Sequence, residues 1–445
     1  MRESFDLLVR GGTVATPNGI APADVGVIGG RIAAIGSLGG AKAAEVFDAK
    51  GLHVLPGVMD TQVHFREPGN AHKEDLASGS LAAILGGVTS VFEMPNTVPP
   101  TTTRAAIEDK LARAKGRMHC DHAFYVGATP QNIGALAELE QMPGVCGIKA
   151  FLGSSTGTLL LNKSEDILAM LKSGKRRVAV HSEDEDRMIA RKHLAERGKP
   201  ETHPVWRDAE AARMSTERVL GLAKQAGRRL HVLHVTTSDE IPLLAAAKDF
   251  STAETTPQHL TLSAPECYER LGAYAQMNPP IRDESHRLAL WDAVRSGVID
   301  VIGSDHAPHT REEKDKVYPD TPSGMPGVQT LATILLDHVN KGNLTLERFI
   351  DLTASSPQRI FGIAGKGRIA LGYDADFTIV DMNLTRTIEN KWIASTCGWT
   401  PFDGMKTKGW PVATILRGRA VMRDFAATGA AAGRPVRFVD TLEPA

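Results

Sequence analysis

Ionisable side chains in this chain sit where short apolar runs end. His64 falls in DTQVHFREPG, Lys149 in VCGIKAFLG, His181 in VAVHSEDE, His234 in LHVLHVTTSD, and Asp305 and His309 in IDVIGSDHAPH. Imidazoles gathered with a carboxylate are the donor set of a divalent cation, and a bound cation brings the pKa of water down to about 7. Asp305 would stay ionised beside such an ion and could both coordinate it and accept a proton. Lys149 is the most informative residue. An uncompensated ammonium inside an apolar strand is costly, so it must snorkel, pair or lose its charge. Reaction with CO2 would instead make it an anionic oxygen ligand able to bridge two cations. Each residue alone has a plainer explanation: a hydrogen-bonding histidine, a paired lysine, an aspartate helix cap. Together they favour a metal site. Gln62, His64 and Arg66 share one strand face because side chains alternate with period two. By the same rule His231 and His234 fall on opposite faces, with His234 toward the site and His231 packed outward against helices.

Such residues need a scaffold that brings distant strand ends to one rim. Eight short apolar runs occur between residues 56 and 362: GVMDTQVHF, TSVFEMPN, DHAFYVGA, VCGIKAFLG, RRVAVHSE, RRLHVLHVT, STAETTPQH and IDVIGSDHA. Amphipathic stretches such as KEDLASGSLAAILGG, TRAAIEDKLARAK, MSTERVLGLAKQAG and HRLALWDAVRSG lie between them, several ending at glycine. Eight strand–helix repeats predict an α/β fold, a (β/α)8 TIM-type barrel whose functional residues gather at the C-terminal ends of its strands. Residues 1–55 and 363–445 are β-rich, and neither can bury a core alone. The expectation is a small β-sandwich built from both chain ends.

The 445 residues carry 51 Lys plus Arg against 52 Asp plus Glu, a net charge of -1, which gives no field to favour nucleic acid or an anionic membrane. With 42% hydrophobic and 23% charged residues the chain is an ordinary globular protein. The opening MRESFDLLVRGG lacks a long apolar segment, and the reading is a cytoplasmic protein. Cys120, Cys146, Cys267 and Cys397 form no CxxC pair and are expected to be reduced core thiols.

The combination DTQVHFREPG, EMPNT, GIKAFLGSSTG, HSED, HVLHVTT, NPPIR and GSDHAPH resembles the amidohydrolase superfamily, and within it the cyclic amidohydrolases. The similarity covers nearly the whole chain, including GYDADFTIVD near its end. It implies a divalent pair, usually zinc, with His64, a carboxylated Lys149, His181, His234 and Asp305 as ligands and one or two ions per chain. Where the family normally has a second strand-one histidine this chain has Gln62, a poorer zinc ligand. The resemblance further implies that a small ring substrate carrying a carboxylate is held by Arg66, Asn96 and His309, with Asn278 and the Ser323–Thr330 loop also facing it. A guanidinium fork suits a planar carboxylate. The family also suggests a homodimer or homotetramer. Rival readings are an amidase for uncharged rings and, because of Gln62, a catalytically silent partner subunit.

Overall fold

The computed structural model describes residues 4–442 apart from residue 156. The chain opens with β1 (Phe5–Thr16), β2 (Gly19–Ile28), β3 (Arg31–Gly36), β4 (Ala43–Asp48) and β5 (His53–Pro56). There follow β6 (Val58–Val63), β7 (Val88–Glu93), β8 (Asp121–Gly127), β9 (Val145–Phe151), β10 (Val178–His181), β11 (Leu230–Val232), β12 (Ser251–Thr255) and β13 (Val301–Ile302). These eight strands pair side by side in chain order, and all seven ladders are parallel. Each overlaps one of the eight apolar runs, β7 starting one residue before its run, so the predicted repeat is the observed one.

The sheet curls until its ends meet. A parallel bridge joins Val63 to His306, the His64 N–H donates to the His306 carbonyl at 2.7 Å, and the Ser304 N–H donates to Asp60 Oδ1 at 2.9 Å. The chain is thus an α/β barrel. Both faces of its strands are buried, which is why the runs read as continuous apolar stretches rather than alternating ones. Residues such as Val91, Phe124, Ile148 and Val232 share a core with the helix residues Ile84, Ile107, Leu171 and Val219, while Met59, Phe92, Tyr125, Cys146 and Ala179 form a separate interior cluster with Phe361 and Phe438.

Local chemistry fixes the helices. Asp75 and Ser78 form a capping box that starts the helix Leu76–Leu85, and Asp208 and Asp283 accept from the first turns of Ala209–Ala226 and Glu284–Ser296. Gly227 and Gly297 stop the latter two at φ 66° and 83°, a left-handed conformation that costs glycine nothing. Among the described residues no helix is long and apolar enough to cross a membrane.

The chain ends meet beside the barrel. β14 (Phe377–Thr387) pairs with β5, and β15 (Lys406–Leu416), β16 (Arg419–Arg423) and β17 (Ala426–Ala427) extend a nine-stranded sheet that includes β1 to β4. Leu7, Val9, Val25, Phe47, Phe377, Ile379 and Ile415 supply its core from both ends. Lys366 fastens this sheet to the barrel, forming ion pairs with Asp121, the first residue of β8, and with Asp374 and Asp376. The last described stretch leaves the sheet: Val436 N–H donates to His122 O at 2.8 Å, and Val436 and Phe438 fill the barrel interior beside Phe361. All four cysteines are buried and free of disulfides.

Candidate active site

Strand ends deliver the polar residues to one pocket. Gln62 from β6 and His64 just after it, Lys149 and Phe151 from β9, His181 from β10, His234 after β11 and Asp305 after β13 line it, together with Ser155, Asn278, Ala307, Ser323 and Gly324. Arg66, His234 and Asp305 have φ of 62°, 36° and 45°, three of the six positive-φ residues other than glycine among those described. Such conformations cost of order 1–3 kcal/mol each and persist only where their surroundings impose them. At His234 the left-handed turn breaks strand alternation. That corrects the expectation for His231: it does not pack outward, but lies edge-on to Phe361 inside the barrel at 5.4 Å between ring centroids, with Nδ1 2.8 Å from Thr252 Oγ1. The rule of opposite faces fails because the strand ends between the two histidines.

On one wall, Asp305 Oδ1 accepts from Gln62 Nε2 at 2.9 Å and lies 3.1 Å from His64 Nε2. His64 Nδ1 lies 2.8 Å from Asn96 Oδ1. Burial lowers the His64 pKa, against the Asp305 hydrogen bond that raises it.

On the other wall, His181 Nδ1 lies 3.1 Å from His234 Nε2, and His181 Nε2 lies 2.8 Å from Glu183 Oε2. Glu183 is wholly buried and ion-pairs with Arg207, whose Nε donates to Oε1 at 3.1 Å. Burial alone would raise its pKa, but Arg207 and His181 outweigh that and hold the carboxyl below the ordinary range. An ionised Glu183 can only accept, so His181 carries its proton on Nε2 and turns the Nδ1 lone pair inward. This is the support that metal-ligating histidines usually have. The sequence reading assigned Glu183 no role, although its spacing of two from His181 in HSED was a usable signal. Nothing in the sequence linked Arg207 to it.

Lys149 stands between the walls. Its Nζ is buried with no hydrogen-bond partner, 4.4 Å from the centroid of the Phe151 ring. Burial pulls its pKa down to about 7, with Asp305 and Glu254 pulling the other way. Gln62 Oε1 and His234 Nδ1 are also buried without partners. Orphaned polar atoms of this kind are expensive unless a ligand completes them. Among the described residues no three His, Cys, Asp or Glu side chains are grouped to hold a metal ion. A third donor beside His181 and His234 would have to come from another side chain, and Lys149, with its unpartnered Nζ and lowered pKa, is the neighbour able to supply one. On that basis the donors fit a divalent ion.

Arg66 and His309 adjoin the pocket. Arg66 is buried, its Nε donates to Pro308 O at 3.1 Å, and its Nη2 lies 3.2 Å from His309 Nε2. Among the described residues no carboxylate forms an ion pair with it, and burial pulls its pKa down to about 10. His309 is neutral, its pKa held near about 3 chiefly by burial and Arg66. His309 Nδ1 lies 3.2 Å from Lys73 Nζ and 3.7 Å from Glu313 Oε2, while Nε2 lies 3.0 Å from Ser323 O. The contacts of Arg66 are thus to a neutral imidazole and a backbone carbonyl. Asn278 lines the pocket with its amide engaged: Oδ1 lies 2.9 Å from His203 Nε2, and Nδ2 donates to Ser155 Oγ at 3.4 Å. Next to the pocket a cavity of about 320 Å³, walled by Ser155, Trp206, Arg207, Asn278 and Ser323, leaves room for a small ring. A cavity of about 360 Å³ elsewhere, between β1 and residues 347–369, contains none of these donors.

A closed parallel barrel with histidines, a lysine and an aspartate gathered at its strand ends places the chain among the (β/α)8 barrels, whose sites lie at that rim. The chain belongs to the Amidohydrolase family, whose model matches residues 53–421. It is 38% identical to a dihydroorotase of Halobacterium salinarum over 93% of this chain and 96% of that one, and 37% identical to an allantoinase of Rubrobacter xylanophilus over 98% of each. Among solved structures it is similar to an L-hydantoinase (dihydropyrimidinase) from Arthrobacter aurescens, with a TM-score of 0.92 and 30% identity over 97% of this chain and 100% of that one.

Proposed function

We propose that this chain is a dihydroorotase, which reversibly hydrolyses dihydroorotate to N-carbamoyl-aspartate in pyrimidine biosynthesis. The observation that carries the choice is Arg66, a buried guanidinium at the edge of the pocket whose contacts are to a neutral imidazole and a backbone carbonyl, with no carboxylate partner among the described residues. A buried cation is expensive until paired, and a ring carboxylate supplies the planar, two-oxygen partner that a guanidinium fits. Arg66 and His309 bind that carboxylate, and Asn96 and Asn278 border the ring.

Lys149, His181 and His234 would hold the divalent ion, which when bound supplies Lewis acidity to water and to the ring carbonyl. Asp305, held by Gln62 and His64, takes the proton lost by the attacking water. The water oxygen bonds to the carbonyl carbon, the ring C–N bond breaks, and Asp305 returns the proton to the departing nitrogen. Lys149 reaches its ligand form as the neutral amine adds to CO2 and releases one proton, leaving a carbamate. The unpartnered Nζ and the pKa near about 7 favour that reaction at neutral pH.

The allantoinase and hydantoinase relatives supply the second reading, hydrolysis of a ring without a carboxylate. Arg66→Met separates the two. Two charge-assisted hydrogen bonds at about 1.5–3 kcal/mol each predict a loss of roughly 10²- to 10⁴-fold in kcat/KM for dihydroorotate. An unchanged value would remove Arg66 from the substrate site and leave the uncharged ring as the better reading.

A further inference from the structure

Gln62 replaces a ligand, and the structure shows what it does instead. Its side chain and that of His64 converge on a single oxygen, Asp305 Oδ1, at 2.9 Å and 3.1 Å. A carboxylate oxygen accepts only, so the amide must direct its N–H to Asp305 and its Oε1 into the pocket. There Oε1 is buried with no partner. A neutral amide oxygen is a weak donor beside the imidazole and thiolate that zinc prefers. This wall then offers only His64 and Asp305 as strong donors. The opposite wall offers Lys149, His181 and His234, with His181 held in its ligating tautomer by Glu183. Three protein donors with an open position make up the usual catalytic zinc site.

We infer that this chain holds one divalent ion, at Lys149, His181 and His234, and that Gln62, His64 and Asp305 form a hydrogen-bonded unit where a second ion would otherwise sit. The unit orients Asp305 through the Gln62 N–H and the adjacent His64 ring, and leaves Gln62 Oε1 as an acceptor facing the pocket, placed to take an N–H of the ring. It works without a second cation because these contacts hold Asp305 in place. The inference rests on the proposed ring hydrolysis for its chemistry, but the number of ions can be measured without turnover.

The experiment titrates chelator-stripped protein with Zn²⁺ in bicarbonate buffer, for the wild type and Gln62→His, counting bound metal per chain after gel filtration by elemental analysis. The expected result is saturation at about one ion in the wild type and about two in Gln62→His, where a second imidazole completes the vacant wall. Two tightly held ions in the wild type would overturn the inference, as would no gain in a folded Gln62→His. Should that variant fail to fold, paramagnetic resonance of the wild type loaded with Mn²⁺ decides: uncoupled ions at saturation support a single site, and a spin-coupled pair overturns it. Dihydroorotate turnover measured on the same wild-type sample keeps the two ideas apart. Active protein with two ions refutes this inference alone, whereas one ion with no activity on any ring refutes the proposed function alone.

Discussion

Replacing Glu183 by Gln should loosen the metal site and destabilise the fold by separable amounts. The substitution keeps the shape of the side chain but removes the charge that pairs with Arg207 and fixes the proton of His181 on Nε2. Arg207 is only 3% exposed, so its guanidinium would be left buried without a counter-ion. Breaking a buried pair by losing one partner costs about 3–5 kcal/mol. The glutamine carbonyl still accepts one hydrogen bond, which places the loss near the lower figure. The metal effect has a different origin: with a neutral amide beside it, His181 is free to take the other tautomer and present N–H rather than a lone pair to the pocket. Loss of such a supporting contact typically costs about 10–100-fold in metal affinity. Zinc affinity would be read by competition with a chromophoric chelator, and stability by urea unfolding of the metal-free protein. The double variant Glu183→Gln/Arg207→Met removes the orphaned charge, so it should regain stability while zinc affinity stays low. Zinc binding that is unchanged in the single variant, or restored in the double one, would refute the assignment of Glu183 as the group positioning His181.

Two further outcomes follow from buried charge elsewhere. Lys366→Met leaves Asp121, Asp374 and Asp376 facing one another where sheet and barrel join, so urea stability should fall by about 3–5 kcal/mol; a loss under about 1 kcal/mol would mean that the junction does not depend on this cation. Glu254 lies within the barrel, its pKa raised from 4.5 to about 8 by burial against the hydrogen bond from Thr61. The folded state therefore keeps a proton that the unfolded state releases between pH 4.5 and about 8, and this group's contribution to stability falls as pH rises, at about 1.4 kcal/mol per unit at most. Glu254→Gln stays neutral, so its stability relative to the wild type should improve steadily from pH 5 to 8. A difference that does not vary with pH would contradict the raised pKa.

Much of this architecture was legible because each barrel strand is a short apolar run that stops at a chemically distinctive residue. VCGIKAFLG marks both β9 and Lys149, and VAVHSEDE marks both β10 and His181. Pairing along a chain of strand–helix repeats is sequential, so the barrel followed from counting. Period-two reasoning held for Gln62 and His64, which meet the same Asp305 oxygen. It failed for His231, which faces the interior as His234 does, because the strand ends between them and the backbone at His234 turns left-handed at φ 36°. Local pattern carries no sign of that turn. Arg207, 24 residues from Glu183, was invisible for a related reason: long-range ion pairs depend on how elements pack, which one sequence does not display. The insertion of Val436 and Phe438 into the barrel interior was equally hidden, since the tail reads as β-prone and nothing in its composition says which core it fills.

A buried Arg66 without a carboxylate partner among the described residues should select a ring that bears a carboxylate. The most direct test is steady-state hydrolysis of dihydroorotate, allantoin and hydantoin by the same zinc- and bicarbonate-treated wild-type protein. The kcat/KM for dihydroorotate should lie at least about 100-fold above that for either uncharged ring, the equivalent of roughly 3 kcal/mol for the guanidinium–carboxylate contact. Equal or faster turnover of allantoin or hydantoin would contradict it.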